Sequence, residues 1–184
     1  MGGDVTKEIT NEVDLFCSIM QLNIIENEFN REYAPLAIIQ YNAPIEFMAK
    51  KSKDLYLDIN NSRLHVLTKI INAQGSNIGA NTAAPINLSL HLMFREIFVE
   101  LNGRNVSETS PQYSYRAYLE TLLNFCKETK DTRLQCEGWT KDSTENMGVT
   151  KVAGSNAGLK TRAVTFATST VVELVGRLHL NVFN

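Results

Sequence analysis

Apolar and polar residues alternate with a period of two in several separate stretches, the spacing that lines one face of a β-strand. Ile45, Phe47 and Ala49 stand opposite Glu46, Met48 and Lys50, which predicts a strand over Pro44 to Ala49. Leu55, Leu57 and Ile59 alternate with Tyr56 and Asp58 before the turn-forming cluster Asn60-Asn61-Ser62. A longer strand is predicted from Arg63 to Asn72, with Leu64, Val66, Thr68 and Ile70 on one face. The Gly-, Asn-, Thr- and Ala-rich tract Ala73 to Pro85 then reads as a surface loop. Ile97, Val99 and Leu101 alternate with Glu96, Phe98 and Glu100, and Asn102-Gly103 suits a type I′ turn into Arg104-Asn105-Val106.

The period changes after Pro111. Tyr115, Tyr118, Leu119, Leu122 and Cys126 recur at three- and four-residue spacing, while Arg116, Glu120 and Lys127 fall elsewhere. A helix around residues 112–127 follows, with its apolar side covering a sheet or a neighbouring subunit. Ile86 to Phe94 alternates like a strand, yet Leu90, Met93 and Phe94 have helical spacing. Lys127 to Gly158 reads as a long loop region anchored by Trp139. Two closing strands are predicted at Arg162 to Ala167 and Val171 to Phe183. In the second, Val172, Leu174, Gly176, Leu178, Leu180 and Val182 face one way, and Gly176 implies a bulge or a close backbone approach. Many antiparallel strands with long connections and one covering helix describe an all-β, antiparallel jelly-roll sandwich.

At the N-terminal end the patterning fails. Met1 to Asn11 is polar and reads as an arm, and Asp14 to Ala34 keeps neither period before Tyr33-Ala34-Pro35 breaks any helix. The expected organisation is an arm and extended segment over residues 1–35 followed by a folded domain over 36–184.

Composition narrows the function classes. The 184 residues suffice for one domain without a stabilising staple, and a net charge of -2 provides no general attraction to nucleic acid. Cys17, Cys126 and Cys136 form an odd set without a CxxC pair, so reduced, structural thiols are expected. No apolar stretch approaches the ~20 residues of a membrane span, and no basic-then-apolar leader opens the chain. Asn60-Asn61-Ser62, Asn87-Leu88-Ser89 and Asn105-Val106-Ser107 fit the glycosylation rule, which matters only in a secretory compartment. Met1-Gly2-Gly3 touches the N-myristoylation pattern, with Thr6 at its sixth position and only Lys7 as basic support nearby.

Catalytic and metal chemistry find no sequence signature. A cupin-type site needs two histidines two residues apart with a carboxylate and a third histidine, whereas His65, His91 and His179 are separate and flanked by apolar neighbours. The expectation is therefore no metal, no cofactor and no enzyme activity. Glu26 with Glu28 and Glu96 with Glu100 read as solvated charge. Tyr113, Tyr115 and Tyr118 with Arg116 could stack on single-stranded nucleic acid, but subunit interfaces also favour Tyr and Arg, and the acidic balance favours an interface. Tyr113, Tyr115, Arg116, Tyr118 and Trp139 are the candidate contact residues.

The run YSYRAYLETLLNF, following a strand that ends in Leu101-Asn102-Gly103, resembles a segment of the major capsid proteins of Polinton (Maverick) elements and the related adintoviruses. The likeness is collinear through Pro44-Ile45-Glu46-Phe47, Tyr56 to Asn61, Trp139 with Lys141-Asp142, Asn156-Ala157-Gly158-Leu159 with Arg162, and Val175 to Leu180 with Val182-Phe183-Asn184. It departs at Ser114, where a proline is common, and over Asp142 to Gly154. The resemblance implies a double jelly-roll capsid protein that forms trimers with pseudo-hexagonal outlines and tiles an icosahedral shell. Its implied partners are copies of itself and other capsid proteins such as a penton, with no specific nucleic acid and no membrane span. The implied location is the virion, after intracellular assembly. It also implies a short helix or turn within Ile86 to Phe94, and a chain that stops within the first of two jelly rolls, leaving Val171 to Phe183 short of a strand partner. A single jelly-roll glycan-recognition or attachment module, or a domesticated virus-derived protein, is the alternative.

Overall fold

The computed structural model describes residues 29–40, 42–50, 55–107 and 112–183, without the Phe183 side chain. The expectations for Met1 to Asn11, for most of Asp14 to Ala34, and for Cys17, Glu26 and Glu28 lie outside these residues. The chain divides into two units, Met1–Leu55 and Tyr56–Asn184. In the first, the described residues are extended or turning and exposed; a hydrogen bond from the Leu36 N–H to the Glu46 carbonyl (2.8 Å) ties them together.

The second unit holds the regular structure. Strand β1 (Arg63–Thr68) pairs antiparallel with β4 (Val172–Arg177), Arg63 opposite Arg177 and Thr68 opposite Val172. Between them in sequence come α1 (Ser89–Leu92), the hairpin of β2 (Glu100–Leu101) and β3 (Arg104–Asn105), α2 (Tyr113–Asn124), α3 (Lys127–Asp131), a 3₁₀ turn over Arg133–Glu137, and α4 (Ala157–Thr165). Two apolar clusters form the core. Leu88, Leu134 and Trp139 make one, with Leu92, Tyr118 and Phe125 against it, and Tyr113, Ala117 and Leu180 make the other, with Phe94, Ile97 and Val99.

Much of the local reading holds. Leu64, Val66, Thr68 and Ile70 alternate inward as their spacing requires. Asn102 and Gly103 have φ of 51° and 73°, the left-handed values a type I′ turn demands. Asp58 closes the turn at Asn60-Asn61-Ser62 by accepting from the Asn61 N–H and side-chain amide. The segment within Ile86 to Phe94 is a short helix, α1.

The sandwich does not form. The described residues make two separate two-stranded sheets beside several helices, not an all-β, antiparallel jelly roll. Each missing strand has a local cause. Pro44 to Ala49 and Leu55 to Ile59 alternate, but among the described residues no strand pairs with them, and Ile45, Phe47, Leu55 and Leu57 are exposed. Arg162 to Ala167 lies in a helix and the turn after it, because the Asn156 side chain caps α4 by accepting from the Gly158 and Leu159 N–H groups. There Leu159, Arg162, Ala163 and Phe166 are buried at helical spacing, which overrides the two-residue alternation. Val171 to Phe183 is a strand only as far as Arg177, opposite the first residue of β1; beyond that point no strand among the described residues pairs with it. Within Lys127 to Gly158, the expected loop contains α3 and the 3₁₀ turn.

The tyrosine helix also turns differently from expectation. α2 buries Tyr113, Ala117 and Thr121, while Tyr115, Leu119, Leu122 and Cys126 face solvent. Cys126 and Cys136 are free and exposed rather than buried structural thiols.

Candidate functional site

A buried polar cluster occupies the heart of the second unit, and its members come from four segments of chain. His91 lies on α1, Tyr113 opens α2 with Arg116 and Glu120 further along it, Glu137 ends the 3₁₀ turn, and His179 follows β4.

Local geometry brings them together. Leu88 precedes α1 in the left-handed conformation (φ 56°, ψ 48°), which an L-residue adopts at a cost of roughly 1–2 kcal/mol. Its burial against Leu134 and Trp139 and the two hydrogen bonds its N–H donates, to Asn87 Oδ1 (3.0 Å) and to the Gly138 carbonyl (3.1 Å), offset that strain. Asn87 Oδ1 also accepts from the Thr140 N–H at 2.8 Å, so one amide clamps α1 to the chain leaving the 3₁₀ turn. Gly138 has a φ of 82°, and a Cβ there would collide with Ser89 Oγ; glycine lets this turn close on α1 and delivers Glu137 beside His91. Gly176 completes the fit from β4, where a Cβ would come 2.6 Å from Glu137 Cγ and 2.7 Å from Leu90 Cδ2. This is the close backbone approach foreshadowed by a glycine inside a strand pattern.

His91 is wholly buried, its Nδ1 2.9 Å from the Tyr113 hydroxyl and its Nε2 3.2 Å from Glu137 Oε2. His179 sets its Nδ1 2.8 Å from Glu120 Oε2, and its ring meets that of His91 edge-on with centroids 4.7 Å apart. Arg116 holds Glu120 in turn, its Nε donating to Glu120 Oε1 at 2.7 Å, and also bonds Asn181 Oδ1. The His179 N–H donates a long hydrogen bond of 3.5 Å to the Tyr113 hydroxyl.

Burial and neighbouring charge set the proton equilibria. Burial, followed by the adjacent His91, pushes the His179 imidazole below the usual histidine range, against the opposing pull of Glu120. Burial alone would raise the Glu120 carboxyl, but hydrogen bonds and charge from Arg116 and His179 outweigh it and hold the group below the usual carboxylate range. Burial lifts the Tyr113 phenol far above its ordinary value, keeping it a neutral hydroxyl that both donates and accepts. A carboxylate only accepts, so the hydrogen between His179 and Glu120 sits on Nδ1, and Nε2 faces away from Glu120.

The five residues singled out from the sequence are dispersed. Tyr113 and Trp139 are buried, the first in this cluster and the second in the core under Tyr118, whose ring lies 5.9 Å away. Arg116 is half-buried against Glu120; Tyr115 stays on the surface, 73% exposed. His91 and His179 lack the two-residue spacing of a cupin-type site, and Glu120 and Glu137 stand far from both in sequence, so no local motif marks the four as a group. A weaker signal was available, since His91 and His179 share the context Leu-His-Leu, each flanked by apolar neighbours on both sides.

No family model matches the chain, and no solved structure matches it. An uncharacterized protein of Caenorhabditis elegans, F54H12.2, is 25% identical over 108 residues, covering 54% of this chain and 26% of the worm protein. The chain thus matches about a quarter of that relative's length.

Proposed function

We propose that this chain is a structural subunit that assembles with copies of itself, a capsid protein of the viral or virus-derived kind its sequence resembles. The observation carrying the assembly reading is the outer face of α2, where Tyr115, Leu119 and Leu123 are 73%, 55% and 81% exposed on successive turns beside Leu122. A contiguous apolar strip on a helix loses its contact with water only against another surface. The strip borders a cleft of about 370 Å³ lined also by Ile97, Tyr113, Arg116 and Leu180, which offers a receiving groove next to the projecting side chains. Partners and groove on one face suit a self-complementary contact, in which the strip of each copy enters the cleft of the other.

The capsid reading rests on the ordered run of residues from Pro44 to Asn184 that resembles such proteins. Work in this reading is done by surface burial between identical copies. Electron microscopy of the purified protein tests it: discrete multimeric rings, blocks or shells support a capsid subunit, whereas isolated particles of monomer size at high concentration overturn it.

A further inference from the structure

We propose that His91, Glu137 and His179 bind a divalent transition-metal ion, zinc by the character of the donors, and that the ion fastens α1, the 3₁₀ turn and the segment after β4 together. One ligand atom from each residue lies within 4.8 Å of the other two. His91 Nε2 and Glu137 Oε2 are 3.2 Å apart, close to the roughly 3.3 Å between neighbouring ligand atoms around a tetrahedral ion with bonds of about 2.0–2.1 Å. Two imidazoles and a carboxylate suit zinc and its borderline neighbours rather than magnesium or calcium, which prefer oxygen.

The surroundings carry the inference further. Each histidine has its Nδ1 engaged from outside the ligand set, His91 by the Tyr113 hydroxyl and His179 by the Glu120 carboxylate. That arrangement orients the rings and leaves their Nε2 atoms for an ion, as outer-shell carboxylates and hydroxyls do around metal-bound histidines. Arg116 fixes Glu120, so the support extends one residue deeper. Charge points the same way. Glu137 is buried, and the described residues place only His91 in ion-pair range of it. A divalent cation held here would balance the charge of this buried carboxylate. Tyr113 fits both states, because its hydroxyl donates to an unprotonated Nδ1 or accepts from a protonated one.

The test is equilibrium dialysis of the full chain against zinc with elemental analysis, with cobalt substitution as a spectroscopic probe of coordination. One tightly held equivalent and tetrahedral-type cobalt absorption are expected. Glu137→Gln and His179→Gln should each weaken zinc binding by about tenfold or more while the far-ultraviolet spectrum keeps its shape, and Glu120→Gln should weaken it about tenfold through the outer shell. His65→Gln, on exposed β1, should bind as the parent does. Folded protein that retains no zinc overturns the proposal, as does zinc that survives both ligand substitutions or is lost in His65→Gln. Should either ligand variant fail to fold, cobalt absorption in the Glu120→Gln variant decides instead: bands unchanged in position and affinity would place the ion elsewhere.

Discussion

Gly176 lies against Glu137 so closely that a Cβ at position 176 would stand 2.6 Å from Glu137 Cγ. Next nearest, at 2.7 Å, is Cδ2 of the fully buried Leu90, so neither neighbour has an easy route aside. Gly176→Ala should therefore destabilise the protein by about 1–3 kcal/mol, the usual cost of forcing an extra carbon into a packed interior. Urea unfolding followed by circular dichroism measures this. An unchanged midpoint would mean that Glu137 does not sit where the geometry places it.

Arg162 should be the most costly single truncation outside that cluster. Its guanidinium, buried on α4, donates to the Pro85 carbonyl at 3.1 Å, the Thr140 carbonyl at 3.0 Å and Asp142 Oδ1 at 2.8 Å. Removing one partner of a buried ion pair strands the other, at about 3–5 kcal/mol. Arg162→Ala should lose that much stability by denaturant titration, and Asp142→Asn, which keeps an acceptor oxygen, should lose less. Equal and negligible losses would show the network to be ornamental.

Asn156 is the local signal that makes α4 a helix. Asn156→Ala removes the acceptor for the Gly158 and Leu159 N–H groups and should cost about 1–2 kcal/mol, with Asn156→Ser recovering part of it. Loss of helical ellipticity together with stability is expected; a variant as stable as its parent would place the cause of the helix in packing alone.

Tyr118 links stability to alkaline pH. Burial first, and the nearby Asp142 second, raise its phenol above the ordinary value of about 10. A raised value in the folded state means the unfolded chain gives up its proton first. The contribution is thus fully present below pH ~10 and is lost as the pH climbs through the folded value. Tyr118→Phe should remove that component, so the stability difference between parent and variant should change only above pH ~10. A difference that is constant across the titration would contradict this assignment.

These elements show what could be read in advance. The Asn102-Gly103 hairpin, the inward set of β1 and the start of a helix after Pro111 depend on neighbours in sequence, and the sequence declares them. Arg162 to Ala167 misled because its apolar alternation is real, but the decisive residue, Asn156, lies six positions upstream and acts through its side-chain oxygen. The two-residue period of Val171 to Phe183 likewise persists past Arg177, where the pairing with β1 ends and no strand among the described residues continues the sheet. The cluster was hidden for a different reason. His91, Glu137 and His179 are separated by 46 and 42 residues, and no local pattern states that Gly138 and Gly176 will let their backbones close around one carboxylate.

The central claim, assembly through the outer face of α2, is tested most directly by sedimentation velocity of the parent protein and a Leu119→Asp, Leu123→Asp double variant over a range of concentrations. Both side chains project into solvent, so the substitutions should leave the fold and its unfolding midpoint close to those of the parent. A charge placed in a desolvated interface has no such tolerance. The account predicts a parent that sediments as a closed oligomer and a variant that sediments as a folded monomer. A parent that stays monomeric at every concentration, or a variant that assembles equally well, would contradict it.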